Sequence, residues 1–234
     1  MKTAMILAAG RGERLRPLTE KCPKAMCSVH HRPLIEHHIR KLANAGFERV
    51  VINHAYLGGQ IRQHLGNGCK WDIEICYSPE PPGGLETGGG IYNALPLLGK
   101  QPFVTVNADI YTDYDFKLLT LASQTKANLI LVNNPKHNSA GDFGLNEQRQ
   151  LNNDKRHYTF AGIACYHPEA FRECSIGRYS VVPLLRALVR YNLATGELYH
   201  GQWVDIGSFE RLKFANNLSA ISLTNENTLE QRRE

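Results

Sequence analysis

Residues 7–24 read LAAGRGERLRPLTEKCPK, from Leu7 to Lys24, and the reading of this stretch decides the fold. Just before it lies Ala4-Met5-Ile6-Leu7-Ala8, a short continuous apolar run of the length of a buried strand. The loop that follows gathers Gly10, Gly12, Arg11, Arg14, Arg16 and Lys24. Glycine lets backbone N–H groups come close to a phosphate, and guanidinium and ammonium groups neutralise it. A buried strand running into such a loop is expected to form a phosphate cradle, with a nucleoside triphosphate as the working hypothesis for its ligand.

Working outward, the pattern alternates strand and helix. Arg32-Pro33 starts a helix whose apolar positions Leu34, Ile35, Ile39, Leu42 and Ala43 share one face, with Gly46 closing it. Val50-Val51-Ile52 is a short strand, Tyr56 to Leu65 a helix closed by Gly66, and Trp71 to Tyr77 an alternating strand. This rhythm predicts a parallel sheet with right-handed crossovers. Further on, Phe103 to Val106, Asn128 to Val132, Tyr158 to Tyr166 and Glu197 to Tyr199 read as strands, and the segment from Ser180 to Val189 as a core helix. Residues 136–155 are polar and read as a hairpin excursion with strand candidates near Asp142 to Leu145. Gly162 interrupts its strand, which marks a bulge or the close approach of a ligand. Ser208 is placed to cap a last helix reaching about Ile221, and the polar tail from Asn225 to Glu234 is expected to fray.

Three later features carry chemistry. Ser78 to Gly90, SPEPPGGLETGGG, holds three prolines and five glycines in thirteen residues, so it reads as a loop opening into a helix from Ile91 to Leu98. Its glycine turn offers N–H donors at a positive helix end. Asp109 stands just past a central-looking strand, where open α/β sheets bind ligands; Asp113 or Asp115 reads instead as the cap of the next helix. Asp205 follows Trp203-Val204 and precedes Gly207, with Trp203 read as a packing residue that holds it in place. The two aspartates are 96 residues apart, so only the fold can bring them together.

Two familiar glycine motifs are absent. No GxxxxGK followed by Ser or Thr occurs, and Gly10-x-Gly12 leads to Leu15 where a dinucleotide fingerprint needs a third glycine. A ribose-binding acid after the second strand is also missing, since Asn53-His54 stands there, which argues against a dinucleotide-dependent oxidoreductase. Cationic groups beside a glycine loop, with two carboxylates, make the minimal kit for Mg²⁺-assisted phosphoryl or nucleotidyl transfer. A nucleotide-binding protein without turnover is the rival from another class, and the complete cationic and acidic set argues against it.

The chain of 234 residues carries a formal charge of +5, and up to residue 70 twelve Lys and Arg stand against four Asp and Glu. That suits a small anionic ligand. The basic residues form no run and are not interleaved with aromatics, so nucleic acid is not the expected partner. Six cysteines show no metal-ligand spacing, Cys22 in the loop has no evident general base, and the pairs His30-His31 and His37-His38 read as ordinary turn and helix-surface residues. Without a signal region or membrane span the chain reads as one cytoplasmic domain, 1–234, a monomer or homodimer with no membrane partner.

Leu7-Ala8-Ala9-Gly10-x-Gly12-x-Arg14-Leu15-x-Pro17-Leu18-Thr19 with Pro23-Lys24 resembles the signature of the sugar-1-phosphate nucleotidyltransferases. Glu86-Thr87-Gly88-Gly89, Asn107-Ala108-Asp109, Phe160-Ala161-Gly162-Ile163 and Trp203-Val204-Asp205-Ile206-Gly207 are similar to the family's later motifs, in order. The resemblance implies a Rossmann-like nucleotidyltransferase fold, a mixed, mostly parallel central sheet flanked by helices. It implies that Arg14 and Lys24 are catalytic, holding the phosphates, and that Asp109 and Asp205 ligate Mg²⁺. Ala8, Ala9, Gly10 and Gly12 would bind the nucleotide with Glu80, Thr87 and Gly88, and Gly144 and Gly162 would line the sugar pocket. The implied substrates are UTP and N-acetylmuramate 1-phosphate, in the recycling of bacterial cell wall. Mannose 1-phosphate with GTP, or glucose 1-phosphate with UTP or dTTP, are the alternatives. Two departures stand out: Asn152-Asn153-Asp154-Lys155-Arg156 replaces the family's Glu-Lys-Pro element, and no C-terminal left-handed β-helix domain is expected.

Overall fold

A computed structural model describes residues 1–220. The first half builds β1 (Thr3–Leu7), α1 (Leu18–Lys21), the hairpin β2 (Ser28–Val29) and β3 (Arg32–Pro33), α2 (Leu34–Asn44), β4 (Arg49–His54), α3 (Gly58–Leu65), β5 (Glu74–Pro79) and α4 (Glu86–Leu98). Then come β6 (Phe103–Asn107), β7 (Ile110–Thr112), β8 (Ala127–Asn133), β9 (Gly144–Leu145) and β10 (Leu151–Asn152). The described chain finishes with β11 (Tyr158–Tyr166), α5 (Val182–Arg190), β12 (Ala194–Leu198), β13 (Trp203–Asp205) and α6 (Phe209–Asn217).

The main sheet has seven strands in the order β12-β8-β11-β6-β1-β4-β5. Only β11 runs antiparallel to its neighbours, β6 and β8. The sheet is therefore mixed and mostly parallel, as the family resemblance implies; the alternating pattern by itself predicts parallel strands and does not announce the antiparallel β11. Along β1 successive side chains face opposite ways, so Ala4 and Ile6 join the core under α2 and α3 while Met5 joins the core under α4 and α5. A third, smaller cluster packs Leu15 of the glycine-rich loop against Val29, Leu34, Tyr111, Val204, Ile206 and Ala215. That cluster fixes the loop to β13 and α6 and so sets the site.

Several elements depart from the sequence expectation. Gly46, at φ +84°, does end α2: its N–H donates to the Ala43 carbonyl and that of Phe47 to the Leu42 carbonyl. Trp71 is not in a strand; Cys69–Trp71 forms a one-turn helix, the indole is buried, and β5 starts only at Glu74. Asp115 caps as expected, accepting from the Lys117 N–H, but the element is a three-residue turn of helix, Phe116–Leu118. The hairpin excursion is present as β9 and β10, and β11 has a register shift between Phe160 and Ala164 around Gly162, at φ +71°. Ser208 caps α6, which ends at Asn217 and so falls short of the expected Ile221, because Leu218 is already extended; the fraying tail lies outside the described residues. Among the described residues no helix is long and apolar enough to cross a membrane.

The largest departure is α4. It begins at Glu86 rather than Ile91, so Gly88, Gly89 and Gly90 are helical and buried. The N–H groups of Gly88 and Gly89 donate to the Tyr179 carbonyl, so they are not open to a ligand as the sequence predicts. The glycines are there because α4 meets the backbone around Gly177. A Cβ on Gly89 would sit 2.0 Å from the Gly177 carbonyl oxygen.

Candidate active site

The parallel strands β1, β4, β5 and β6 all end at one edge, and a cleft of about 950 Å³ opens there. The chain leaves β1 toward β4 on one side and returns to β6 on the other, so this cleft straddles the point where strand order reverses. Ala8, Ala9, Gly10, Gly12, Lys24, Glu80, Thr87 and Asp109 all line it. Gly88 does not; it packs against Tyr179 and Ser180.

Buried Asn53 on β4 organises the cleft floor. The Ala8 N–H donates to Asn53 Oδ1 at 2.8 Å, and Asn53 Nδ2 donates to Glu80 Oε1 at 2.6 Å. Glu80 Oε2 in turn accepts from the Leu85 N–H at 2.6 Å. The glycine loop, β4 and the turn before α4 are thereby joined through one amide. In the sequence Asn53 stands out only as the residue found where a ribose-binding acid would be; a polar side chain near the end of an apolar strand is the signal that it has a partner. Thr87 Oγ1 is engaged within the protein, accepting from the Val181 N–H at 3.0 Å. On the rim, the Arg11 guanidinium lies 4.8 Å over the Tyr56 ring, and Arg178 pairs with Glu86 at 3.4 Å.

Gly12, at φ +68°, shapes the basic end of the loop. Thr19 Oγ1 donates to its carbonyl at 2.8 Å, and a Cβ there would lie 2.9 Å from Lys24 Cβ. Lys24 is ion-paired with Asp109, and both side chains are shielded from solvent, 14% and 30% exposed. The sequence separation of the two aspartates is closed by a two-stranded ribbon. Asp205 on β13 registers opposite Ile110 on β7, and the Ile206 N–H donates to the Asp109 carbonyl at 2.7 Å. Lys41 of α2 fastens that ribbon from beneath, donating to the Thr112 carbonyl at 2.9 Å.

Asp205 sits among several charges. Burial raises its pKa, Arg211 and His137 pull it back, and the negative charge of Asp109 pushes it up; the net shift is upward. Arg211 Nη1 donates to Asp205 Oδ1 at 2.9 Å, and His137 Nε2 lies 3.0 Å from the same oxygen. Neither Arg211 nor His137 stands out in the sequence, since both lie in polar stretches without a motif. Trp203 does hold this corner, as expected: its Nε1–H donates to the Ala161 carbonyl at 3.0 Å, next to Gly162. A Cβ on Gly162 would meet Asn107, which lines the cleft. Gly144 packs instead against Asn152 and the Lys155 carbonyl.

Other candidate groups resolve differently. His38 is wholly buried, not on a helix surface, and burial pushes its imidazole down to about 3. Burial raises the Cys22 thiol, the opposite of activation. The donor set at the aspartates is two carboxylates, and among the described residues no group of three or more His, Cys, Asp or Glu is placed to hold a metal. Hard oxygen donors in that number fit Mg²⁺, which takes one or two carboxylates and completes its shell with water and phosphate oxygens.

Residues 3–160 match the nucleotidyl transferase family model. The chain is 47% identical over 225 residues to an N-acetylmuramate alpha-1-phosphate uridylyltransferase of Neisseria meningitidis, covering 92% of this chain and 97% of that protein. A protein of the same name from Caulobacter vibrioides is 30% identical over 88% of this chain and 92% of its own length. A mannose-1-phosphate guanylyltransferase of Mycobacterium tuberculosis is 32% identical over 55% of the chain and 36% of its own. Among solved structures, a Bacillus anthracis protein described as a glucose-1-phosphate thymidylyltransferase superposes with a TM-score of 0.78 at 20% identity, covering 92% of this chain and 94% of that one. At that identity the likeness speaks for the fold.

Proposed function

The chain belongs to the nucleotidyl transferase family, and from that premise we propose that it joins UTP to N-acetylmuramate 1-phosphate, giving a UDP-sugar and pyrophosphate. The observation that carries this reading is the meeting of Asp109 and Asp205 with Lys24, Arg211 and His137 at the end of the glycine loop, beside a cleft floored by Asn53 and Glu80. The choice of base and sugar rests on the two relatives that cover nearly the whole chain.

In this reading the backbone of Ala8, Ala9, Gly10 and Gly12 takes the nucleoside and the first phosphates. Glu80 and Thr87 lie toward the base, with Gly88 serving as the close-packing residue that lets α4 start there. Lys24 and Arg14 hold phosphate oxygens and stabilise the charge that builds on phosphorus as a sugar-phosphate oxygen attacks in line. Asp109 and Asp205 would hold Mg²⁺, which when bound neutralises the triphosphate and raises the electrophilicity of its α-phosphorus. Gly162, and more remotely Gly144, would line the sugar pocket. The single-domain organisation over 1–234 and a cytoplasmic setting complete the reading.

A matrix of five nucleoside triphosphates against the 1-phosphates of N-acetylmuramate, mannose, glucose and N-acetylglucosamine, read by pyrophosphate release with Mg²⁺, tests it. UTP with N-acetylmuramate 1-phosphate is expected to give the highest kcat/KM. A preference for GTP with mannose 1-phosphate would overturn the substrate assignment, and no release from any pair would overturn the reaction.

A further inference from the structure

Arg211 does more in the fold than pair with Asp205. It sits in the first turn of α6, where its own N–H donates to the Ser208 cap, and its side chain is only 17% exposed. One arm of the guanidinium, Nη1, is taken by Asp205. The other arm is turned to Gly207. A Cβ built on Gly207 would lie 2.0 Å from Arg211 Nη2 and 3.0 Å from Arg14 Nη2, so the two guanidiniums converge on the one residue here without a side chain. Arg14 is exposed and makes no ion pair among the described residues. Its neighbour Glu13 lines the cleft.

Two like charges this close repel unless an anion compensates them. Asp205 is already shared between Arg211 and His137, Asp109 is paired with Lys24, and Glu210, which feels the Arg211 charge, is exposed to solvent. What remains is a pair of guanidinium edges at the basic end of the glycine loop, a match for the several oxygens of a polyphosphate. A lysine at 211 could satisfy Asp205 but has no second arm to offer, which is why the residue type matters.

We propose that Arg211 is a second triphosphate arginine, which together with Arg14 binds the β- and γ-phosphates and the pyrophosphate that leaves. The inference rests on the transferase reading for its setting. In the transfer, a sugar-phosphate oxygen forms its bond to the α-phosphorus as the bond from that phosphorus to the α–β bridging oxygen breaks. The bridging oxygen departs with the electron pair on pyrophosphate, and the paired guanidiniums stabilise that charge without a proton transfer.

Titration calorimetry of the full chain with inorganic pyrophosphate, UTP and UMP, each with Mg²⁺ and without sugar phosphate, separates this role from that of a strut for Asp205. Arg211→Met is expected to weaken pyrophosphate and UTP by roughly tenfold or more while UMP stays within about twofold. Arg211→Lys, which keeps a charge beside Asp205 and secures the fold if the methionine variant fails, is expected to show the same selective loss. Equal weakening of UTP and UMP, unchanged pyrophosphate affinity, or a loss confined to Mn²⁺ affinity measured by electron paramagnetic resonance would each overturn the proposal. Pyrophosphate carries neither base nor sugar, so this result stands apart from whether the substrate matrix succeeds.

Discussion

Asn53 shows how much of a site can depend on one amide. Its oxygen accepts from the Ala8 N–H and its nitrogen donates to Glu80, so a change of either atom reaches both the glycine loop and the turn before α4. Asn53→Asp keeps the shape and the acceptor but sets a carboxylate against Glu80 and removes the donor. Leaving a buried polar group unsatisfied costs about 1–3 kcal/mol. The variant is expected to melt several degrees lower and to lose at least about tenfold in kcat/KM for the triphosphate, checked by calorimetry and steady-state kinetics. A second residue-scale prediction concerns His38, buried on α2 against Phe116. Burial lowers its folded-state pKa to about 3 from an ordinary 6.5, so the unfolded chain takes up the proton first as pH falls. Stability from this group is complete above pH 6.5 and is lost progressively toward pH 3, about 2 kcal/mol of it by pH 5. His38→Leu is therefore expected to flatten the pH dependence of urea melts between pH 7 and 5. An unchanged slope would place the acid sensitivity elsewhere.

At the scale of elements, the same residue type has opposite consequences in two places. An alanine in α4 gains about 1 kcal/mol of helix propensity over glycine. At Gly89 that gain is outweighed, because the Cβ would stand 2.0 Å from the Gly177 carbonyl oxygen, and overpacking of this kind costs typically 1–3 kcal/mol or more. Gly10 has nothing within 4 Å of its Cβ position, yet it lines the cleft. Gly89→Ala is expected to lower the melting temperature, whereas Gly10→Ala leaves it unchanged and lowers turnover, read from paired melts and pyrophosphate release. These two glycines also mark where the sequence is legible. The apolar run of β1, the face of α2 and the loop from Gly10 to Lys24 speak through local periodicity and local chemistry. The triple glycine of α4 reads locally as a loop, because the reason for it, the backbone at Gly177, lies 88 residues away. Trp71 misleads in the same way: its alternation with neighbours is strand-like, while burial in the core decides its turn.

Across the whole molecule, the account depends on a ribbon rather than on the main sheet. The pairing of β7 with β13 brings Asp205 to Asp109, and the cluster around Leu15 seats the glycine loop on that ribbon. No local pattern announces either contact, which is why Asp109 and Asp205 could be picked from the sequence as candidates while His137 and Arg211 could not. Asp109→Asn and Asp205→Asn are expected to keep the fold by circular dichroism, to weaken Mn²⁺ binding in the presence of triphosphate, and to lower kcat by a factor on the order of 10² or more. A variant with wild-type turnover would remove that residue from the site. The most direct measurement of the central claim follows the phosphorus atoms themselves. Mixing the protein with UTP, N-acetylmuramate 1-phosphate and Mg²⁺ and recording phosphorus NMR over time is predicted to show a coupled pair of sugar-nucleotide diphosphate signals rising in equal amount with pyrophosphate. Release of orthophosphate instead, or an unchanged triphosphate spectrum, would contradict it.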